Sequence, residues 1–223
     1  MKYTIVNKIK KFVRRSDKYI PHDYWKEHGK SYFANFEYND DFKKQEMNLL
    51  SELHKIKFQT ALEYGCGFGR ITNLINKNFK PIHFTAFDIS VEQLNNAQKF
   101  CDSDNVDFRV SAIEDFEPNK KYDLVIGSEV LMHVKPENIE DIIKKIVGWS
   151  KKYIISIDVT YTHKMLASHN FIHPYKKIYE KYGIVSETKV IMANGTQSIF
   201  LLTLDQVTVW QIENFRISIL KIS

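Results

Sequence analysis

Three closely spaced glycines stand where an apolar run passes into a polar, amphipathic one. Leu62–Arg70 reads LEYGCGFGR, with an acidic residue at Glu63 and glycines at 65, 67 and 69. Glycine permits positive φ and lets a ligand approach the main chain, and the free amides at a helix start favour an anionic group. The segment is therefore predicted to be a loop that holds a nucleotide-like ligand.

The glycine spacing separates two classes of such ligand. A dinucleotide fingerprint requires G-x-G-x-x-G, whereas this chain has Arg70 at the position of the third glycine, and Gly69 comes one residue early. A large side chain at that position would crowd the pyrophosphate turn. The pattern therefore disfavours a nicotinamide dinucleotide.

The elements that position this loop are predicted from hydrophobic periodicity and turn signals. The predicted strands are 60–64, 82–87, 106–110, 122–127, 153–159, 185–192 and 197–204. The predicted helices are 40–56, 70–78, a helix opened by a capping box at Ser90 and running to 100, one with Pro136 in its first turn that ends near 149, and 175–182. Asn194-Gly195 predicts a hairpin between the last two strands. We predict an α/β fold with a doubly wound, mostly parallel seven-stranded sheet and an antiparallel closing hairpin.

In this setting Glu63 and the glycines match E/D-x-G-x-G-x-G, and the chain resembles the class I S-adenosylmethionine-dependent methyltransferases. Three further landmarks follow in order: Asp88 at the end of the second strand, 111–116 after the third, and 122–134 along and after the fourth. The resemblance implies a Rossmann-like methyltransferase fold, S-adenosyl-L-methionine as cofactor and S-adenosyl-L-homocysteine as product. It also implies that Asp88 binds the ribose hydroxyls, because a carboxylate can accept two hydrogen bonds.

The resemblance and the predicted strand ends give a set of cofactor-binding candidates. These are Trp25, Tyr32, Glu63, Gly65, Cys66, Gly67, Arg70, Asp88, Ile89, Gln93, Ala112, Ile113, Glu114, Ser128 and Met132. Many members of the family have an acidic residue where Ala112 stands, and it holds the adenine amino group. Here Glu114, Asp115 or main-chain oxygens must take that role.

Methyl transfer from a sulfonium is an in-line displacement, in which the protein positions the reactants and supplies a base when the acceptor must lose a proton. The candidate catalytic residues lie at or beyond the carboxyl edge of the predicted sheet; they are His133, Asp158, His163 and His173, with His169 beside them. Packed or capping histidines are an equally weighted interpretation. The spacing His163-x5-His169-x3-His173 matches no zinc pattern, so no metal is predicted.

Absences constrain the methyl acceptor. After the fourth strand the chain has Ser128-Glu129-Val130-Leu131 instead of the Asn/Asp-Pro-Pro-Tyr/Phe segment of enzymes that methylate base amino groups. Neither Cys66 nor Cys101 is placed for C5 chemistry. Small molecules, glycans and protein side chains remain as acceptors. We predict O-methylation of a small molecule or glycan.

Charge is unevenly distributed along the 223 residues, whose net charge is +5. Residues 1–20 hold seven Lys/Arg against Asp17 alone, so this arm carries +6 and the rest 5 − 6 = −1. We predict one domain, 1–223, with a basic arm and an aromatic lid over 1–39, a catalytic core over 40–204 and a C-terminal extension over 205–223. An RNA methyltransferase that uses the arm, and a non-catalytic S-adenosylmethionine-binding module, are the alternative functions.

Composition bounds the setting of the protein. Hydrophobic residues make up 43% and charged residues 26% of the chain, a balance typical of a globular domain. The two cysteines argue against a disulfide framework, and no apolar run reaches the ~18 residues of a membrane span. We predict a cytoplasmic protein without a transmembrane segment. The apolar extension 205–223 is expected to pack either on the domain or on a second copy of the chain, and the second arrangement would give a homodimer.

Overall fold

The computed structural model describes residues 19–101 and 104–204, so the predictions for residues 1–18 and for the extension 205–223 lie outside the described residues. The helices are α1 (Pro21–Tyr32), α2 (Asp40–Leu53), α3 (Arg70–Phe79), α4 (Val91–Cys101), α5 (Ile139–Trp149) and α6 (Tyr175–Tyr179). The strands are β1 (Thr60–Tyr64), β2 (His83–Asp88), β3 (Val106–Val110), β4 (Tyr122–Ser128), β5 (Ser150–Thr162), β6 (Gly183–Met192) and β7 (Gly195–Leu204). Two 3-10 turns cover Phe33–Asn35 and Leu131–His133.

The strands form one seven-stranded sheet in the order β3-β2-β1-β4-β5-β7-β6. Neighbouring strands from β3 to β5 are parallel, while β7 is antiparallel to both β5 and β6. The predicted fold class is confirmed. The chain leaves β1 toward β2 and β3, then returns to the other side of β1 as β4. Such a change of direction opens a crevice at the carboxyl ends of the strands.

Alternate residues of each central strand enter different cores. Ala61 belongs to a cluster with residues of α2, α3 and α4, whereas Leu62 belongs to a second cluster with residues of α5 and α6. Both side chains are fully buried. Because helices cover both faces, β1 and β4 are apolar almost throughout, as expected for buried parallel strands.

Several predicted boundaries are wrong. Strand β5 extends to Thr162, because it pairs with β4 on one edge and with the long β6–β7 hairpin on the other. Helix α5 begins at Ile139, so Pro136 lies in the turn before it rather than in its first turn. Helix α6 ends at Tyr179 instead of 182.

Gly127 of β4 offers a test of how closely the sheet and its core are packed. A Cβ at this position would come within 2.0 Å of the Tyr64 ring, whose side chain is fully buried. We expect Gly127→Ala to lower the free energy of unfolding by about 1–3 kcal/mol, measured by urea denaturation. Gly148→Ala is the matched control, because nothing lies within 4 Å of its Cβ position in α5, and it should stabilise the chain by about 0.5–1 kcal/mol. Equal effects of the two substitutions would contradict this account.

Candidate active site

A cavity of about 410 Å³ opens at the carboxyl ends of β1, β2 and β4, and α1 lies across it. All of the predicted cofactor-binding residues line this cavity: Trp25, Tyr32, Glu63, Gly65, Cys66, Gly67, Arg70, Asp88, Ile89, Gln93, Ala112, Ile113, Glu114, Ser128 and Met132. His133 and His169 line it as well. Residues distant in the sequence therefore meet in one site.

The glycine loop connects β1 to α3 and forms the floor of the cavity. Gly65, Gly67 and Gly69 have φ values of 62°, 54° and 86°, in the left-handed region that glycine adopts without strain. A Cβ on Gly65 would lie 2.4 Å from Val130, and one on Gly69 would lie 2.8 Å from Cys101. A Cβ on Gly67 would have no atom within 4 Å. The loop thus packs tightly at its ends and leaves its middle open to a ligand.

Asp88, the last residue of β2, holds the loop in place. Its Oδ2 accepts a hydrogen bond from the Gly67 amide and its Oδ1 accepts one from the Ser90 amide, both at 2.9 Å. Burial raises the pKa of Asp88, and the main-chain donors lower it in part. The carboxylate therefore fixes the loop and the start of α4 together, and it also lines the cavity.

The predicted capping box at the start of α4 is only half formed. The Ser90 hydroxyl accepts a hydrogen bond from the main-chain N–H of Gln93 at 3.4 Å. The main-chain N–H of Ser90, however, donates to the Asp88 carboxylate and not to the side chain of Gln93. As a result Gln93 Oε1 is buried with no hydrogen-bond partner. Ser128 Oγ, at the end of β4, is also buried without a partner. Unpaired buried polar atoms each cost about 1–3 kcal/mol. Both residues line the cavity, so a ligand with polar groups would satisfy them.

Glu63 carries an unusual buried carboxyl at the end of β1. It is 2% exposed, and its Oε2 accepts a hydrogen bond from the Thr72 hydroxyl at 2.6 Å. Burial raises the pKa of Glu63 to about 8, although Thr72 and the charge of Arg70 lower it in part. Glu63 is therefore largely protonated at neutral pH unless a cation enters the cavity.

The charged end of Arg70 is directed at α2. Its Nη1 pairs with Glu46 Oε1 at 2.9 Å, its Nη2 donates to Gln45 Oε1, and the guanidinium lies 4.8 Å from the centre of the Phe42 ring. Arg70 also lines the cavity, and these contacts use two of the five N–H donors of its guanidinium. They join α2 to the start of α3, and cofactor binding by Arg70 stays a prediction.

Two neutral imidazoles lie at the mouth of the cavity. The His133 ring lies 4.5 Å from the Trp25 ring and 5.6 Å from the His169 ring. Burial lowers the pKa of His133 to about 4 and also lowers that of His169. The Nδ1 of His133 is 3.3 Å from the carbonyl oxygen of His169, which can only accept, so the neutral ring carries its proton on Nδ1. Its Nε2 then carries the lone pair, and a side-chain hydrogen bond with Asn170 raises the pKa of the ring in part.

The other predicted catalytic residues do not line the cavity. Asp158 is 1% exposed; it accepts from the Ser156 hydroxyl and from the Met132 amide, the latter at 3.3 Å, so it supports the turn that carries His133. His173 is buried, with its Nε2 3.0 Å from the Val134 carbonyl oxygen. His163 is exposed, because β5 continues to Thr162 and carries this residue away from the crevice.

Sequence reasoning missed Glu129, which follows β4 and lines the cavity. Its φ of 58° places a residue other than glycine in the left-handed region. Its amide donates to the Ile157 carbonyl at 2.7 Å, and its Oε1 accepts from Gln197 Nε2 at 2.6 Å. The only sequence signal is an acidic residue directly after a buried strand.

The described part of the chain contains neither a cluster of metal ligands nor a helix suited to crossing a membrane. Within 19–101 and 104–204, no group of three or more His, Cys, Asp or Glu residues is arranged to hold a metal ion. Over the same ranges, no helix has both the length and the apolar character that a membrane crossing requires.

The sheet order, the glycine loop and the acidic residue at the end of β2 define a Rossmann-like methyltransferase domain. In agreement, residues 61–152 match the methyltransferase domain family. This match and the fold of the solved structures described below support a class I S-adenosylmethionine-dependent methyltransferase.

Comparisons with individual proteins agree on the fold and differ in chemistry. N-methyltransferase 4 of Papaver somniferum is 34% identical over 118 residues, which cover 50% of this chain and 32% of that protein. A malonyl-acyl-carrier-protein O-methyltransferase of Priestia megaterium is 32% identical over 101 residues, which cover 45% of this chain and 37% of that protein. The chain thus spans about a third of the length of these curated relatives.

Solved structures show the same architecture over more of the chain. The N-methyltransferase NodS from Bradyrhizobium japonicum, in complex with S-adenosyl-L-homocysteine, superposes with a TM-score of 0.67 at 14% identity and covers 75% of this chain and 89% of its own. The magnesium protoporphyrin IX methyltransferase from Synechocystis with bound SAM gives 0.64 at 14% identity, covering 84% of this chain and 98% of its own.

The raised pKa of Glu63 predicts how stability depends on pH. Glu63 has a higher pKa in the folded chain than in the unfolded chain, so between about pH 5 and 8 the folded chain binds more protons. The free energy of unfolding therefore falls as pH rises through this range. Glu63→Gln should remove at least about 1 kcal/mol of this fall, measured by urea denaturation across that range. Some slope should remain, because burial also raises the pKa of Asp158 to about 7. An unchanged slope in the variant would contradict the assignment.

Proposed function

We propose that this chain transfers a methyl group from S-adenosyl-L-methionine to a small molecule or glycan and releases S-adenosyl-L-homocysteine. The observation that carries the proposal is the single cavity in which the glycine loop, Asp88 and the loop after β3 meet. Gln93 and Ser128 support it, because their buried polar atoms lack partners there. The bound cofactor would supply the activated methyl on its sulfonium.

The cavity wall suggests how the cofactor would be held. Asp88 would accept hydrogen bonds from the ribose hydroxyls while it keeps its bonds to the main chain. Ala112–Glu114 would surround the adenine, with main-chain oxygens serving in place of the acidic residue absent at Ala112. The open middle of the glycine loop at Gly67 would let the ligand approach the backbone.

The role proposed for α1 is that of a lid. Trp25, Gly29 and Tyr32 of this helix line the cavity, and Trp25 packs on His133. The Tyr32 ring lies 6.4 Å from the ring of Phe68 in the glycine loop. A Cβ on Gly29 would come within 2.3 Å of the Ser90 hydroxyl, so the lid and the start of α4 are in close contact. This arrangement would exclude water from the transferred methyl.

For the acceptor we propose a hydroxyl group, with His133 as the proton acceptor. The support is that the ring lines the cavity and that its Nε2 is the unprotonated nitrogen. Because burial lowers its pKa to about 4, the ring would act as a base only where bound ligand groups stabilise the imidazolium. Relatives include both N- and O-methyltransferases, and an amine acceptor would use the same neutral ring. The RNA alternative rests on the basic arm, which lies outside the described residues. The non-catalytic module, the cytoplasmic location and the homodimer also stay predictions.

Cofactor binding is tested by titration calorimetry of the purified chain with S-adenosylmethionine and S-adenosylhomocysteine. We expect wild type to bind both, and Asp88→Ala to weaken binding at least about tenfold, because loop geometry and ribose contacts are lost together. Asp107→Ala is the control; this exposed carboxylate of β3 pairs with Arg109 outside the cavity and should leave binding unchanged. Undiminished binding by Asp88→Ala would refute the ribose assignment.

Catalysis by His133 is tested with radiolabelled S-adenosylmethionine and a pool of small molecules and glycans. His133→Gln should keep cofactor affinity and lose roughly 100-fold or more in methyl transfer, the usual contribution of a general base. His163→Gln is the control, since this exposed histidine lies outside the cavity. Equal transfer by wild type and His133→Gln would rule out the base, whereas cofactor binding without any transfer by wild type would favour the non-catalytic module.

A further inference from the structure

Glu129 is held in an unfavourable backbone conformation at the edge of the cavity. A residue other than glycine with φ near 58° costs about 1–2 kcal/mol. The conformation is stabilised by the hydrogen bond from its amide to Ile157 of β5. Such strain is common where a side chain must be directed into a binding site.

A directed chain of hydrogen bonds fixes the Glu129 carboxylate. Arg70 Nη2 donates to Gln45 Oε1, Gln45 Nε2 donates to Gln197 Oε1 at 2.7 Å, and Gln197 Nε2 donates to Glu129 Oε1 at 2.6 Å. A guanidinium has no acceptor, so the orientation of both amides follows from Arg70. Gln45 and Gln197 are 0% and 5% exposed and do not line the cavity. Residues of α2, α3 and β7 thus serve to position one carboxylate.

Acidic side chains outnumber Lys and Arg in the lining of the cavity. Four of them line it, Glu63, Asp88, Glu114 and Glu129, while the only Lys or Arg among the described lining residues is Arg70, which pairs with Glu46. Within the described ranges Glu129 has no cation within ion-pair distance. Burial raises the pKa of Glu129, and the charge of Arg70 and the bonds from Gln197 and Gln45 lower it in part. Glu129 is partly buried, and a carboxylate that is shielded from water without a paired cation is costly, so the site is suited to a positively charged ligand group.

The sheet order places this carboxylate relative to the proposed cofactor. Ribose on Asp88 at β2 and adenine at the loop after β3 would leave the rest of the ligand to cross the glycine loop at β1 toward β4. Val130 packs against Gly65 of that loop, and Glu129 is its neighbour at the end of β4. The methionine half of the cofactor carries two positive groups, the sulfonium and the α-ammonium, and one negative group, the α-carboxylate. This half would therefore reach Glu129, and only its positive groups would be attracted to the carboxylate.

We infer that Glu129 is a cofactor-binding residue that recognises positive charge on the methionine half of S-adenosylmethionine. The inference rests on the proposed cofactor and adds a residue that the glycine motif does not contain. The hydrogen-bond chain from Arg70 holds the carboxylate ready for this contact. If the sulfonium is the recognised group, the product lacks the charge, and Glu129 favours replacement of product by fresh cofactor.

The test is calorimetry with S-adenosylmethionine and S-adenosylhomocysteine on wild type and Glu129→Gln. Glutamine keeps the shape and an oxygen that accepts from Gln197, but it removes the charge. We expect the variant to bind S-adenosylmethionine at least about tenfold more weakly, as for a lost charge-assisted contact. A parallel loss for S-adenosylhomocysteine identifies the α-ammonium, which both ligands carry, and a loss for S-adenosylmethionine alone identifies the sulfonium.

Two further variants keep the outcome decisive. Glu187→Gln, a half-buried glutamate of β6 that accepts from Ser198 outside the cavity, should bind both ligands like wild type. Gln197→Leu removes the donor to Glu129 without altering the cavity wall, so on its own it should weaken S-adenosylmethionine binding. The double variant Glu129→Gln/Gln197→Leu should bind no more weakly than Glu129→Gln alone. Unchanged affinity in Glu129→Gln, or in Gln197→Leu should the first variant not fold, would overturn the inference. Absence of binding by wild type would refute the proposed cofactor itself.

Discussion

The two hydrogen bonds accepted by the Asp88 carboxylate connect the parts from which the cavity is built. One holds the middle of the glycine loop at Gly67, and the other holds Ser90 at the start of α4. The next contact along β2 is the bond from the Ser111 amide to the Asp88 carbonyl at 3.0 Å, which fixes the loop after β3. The glycine loop, the start of α4 and the loop after β3 therefore all depend on a single residue at the carboxyl end of β2.

The pKa values of the lining side chains determine how much charge the cavity carries. The carboxyls of Glu63, Asp88 and Glu129, of which Glu63 is buried and the others are partly buried, have raised pKa values, while the imidazole of His133 has a lowered one. Both effects come from removal of the groups from water, and both keep the cavity closer to neutral than its composition suggests. A cationic cofactor would restore charge to the carboxylates and leave the imidazole unprotonated. Carboxylates would then bind the cofactor, whereas the imidazole of His133, on a different element, would accept the proton.

The sequence was sufficient for the sheet, the glycine loop and the residues around it, because those features are local. Alternating apolar runs indicate strands and helices, and glycine at positions of positive φ has a clear signal. The histidine loop was not predictable in the same way. Its position depends on how far β5 pairs with β7, so His163 lies outside the cavity although its strand does reach the crevice.

The contacts of Glu129 and Arg70 were also not predictable from the local sequence. The left-handed backbone of Glu129 is stabilised by Ile157, which is distant in the sequence, and no local rule identifies it. Arg70 stands in the motif, but its guanidinium is bound by Gln45 and Glu46 of α2, which are 25 and 24 residues earlier. Which groups a polar side chain meets is decided by tertiary packing, whereas the pattern shows only where its backbone lies.

The central claim is that the glycine loop, Asp88 and the loop after β3 form one binding site for S-adenosylmethionine. Hydrogen–deuterium exchange of the wild-type chain, with and without the cofactor, tests it most directly. The account predicts slower exchange at the amides of 65–70, 88–90 and 111–114, with unchanged exchange in the β6–β7 hairpin. Unaltered exchange at all three segments under saturating cofactor, or protection confined to another part of the chain, would contradict it.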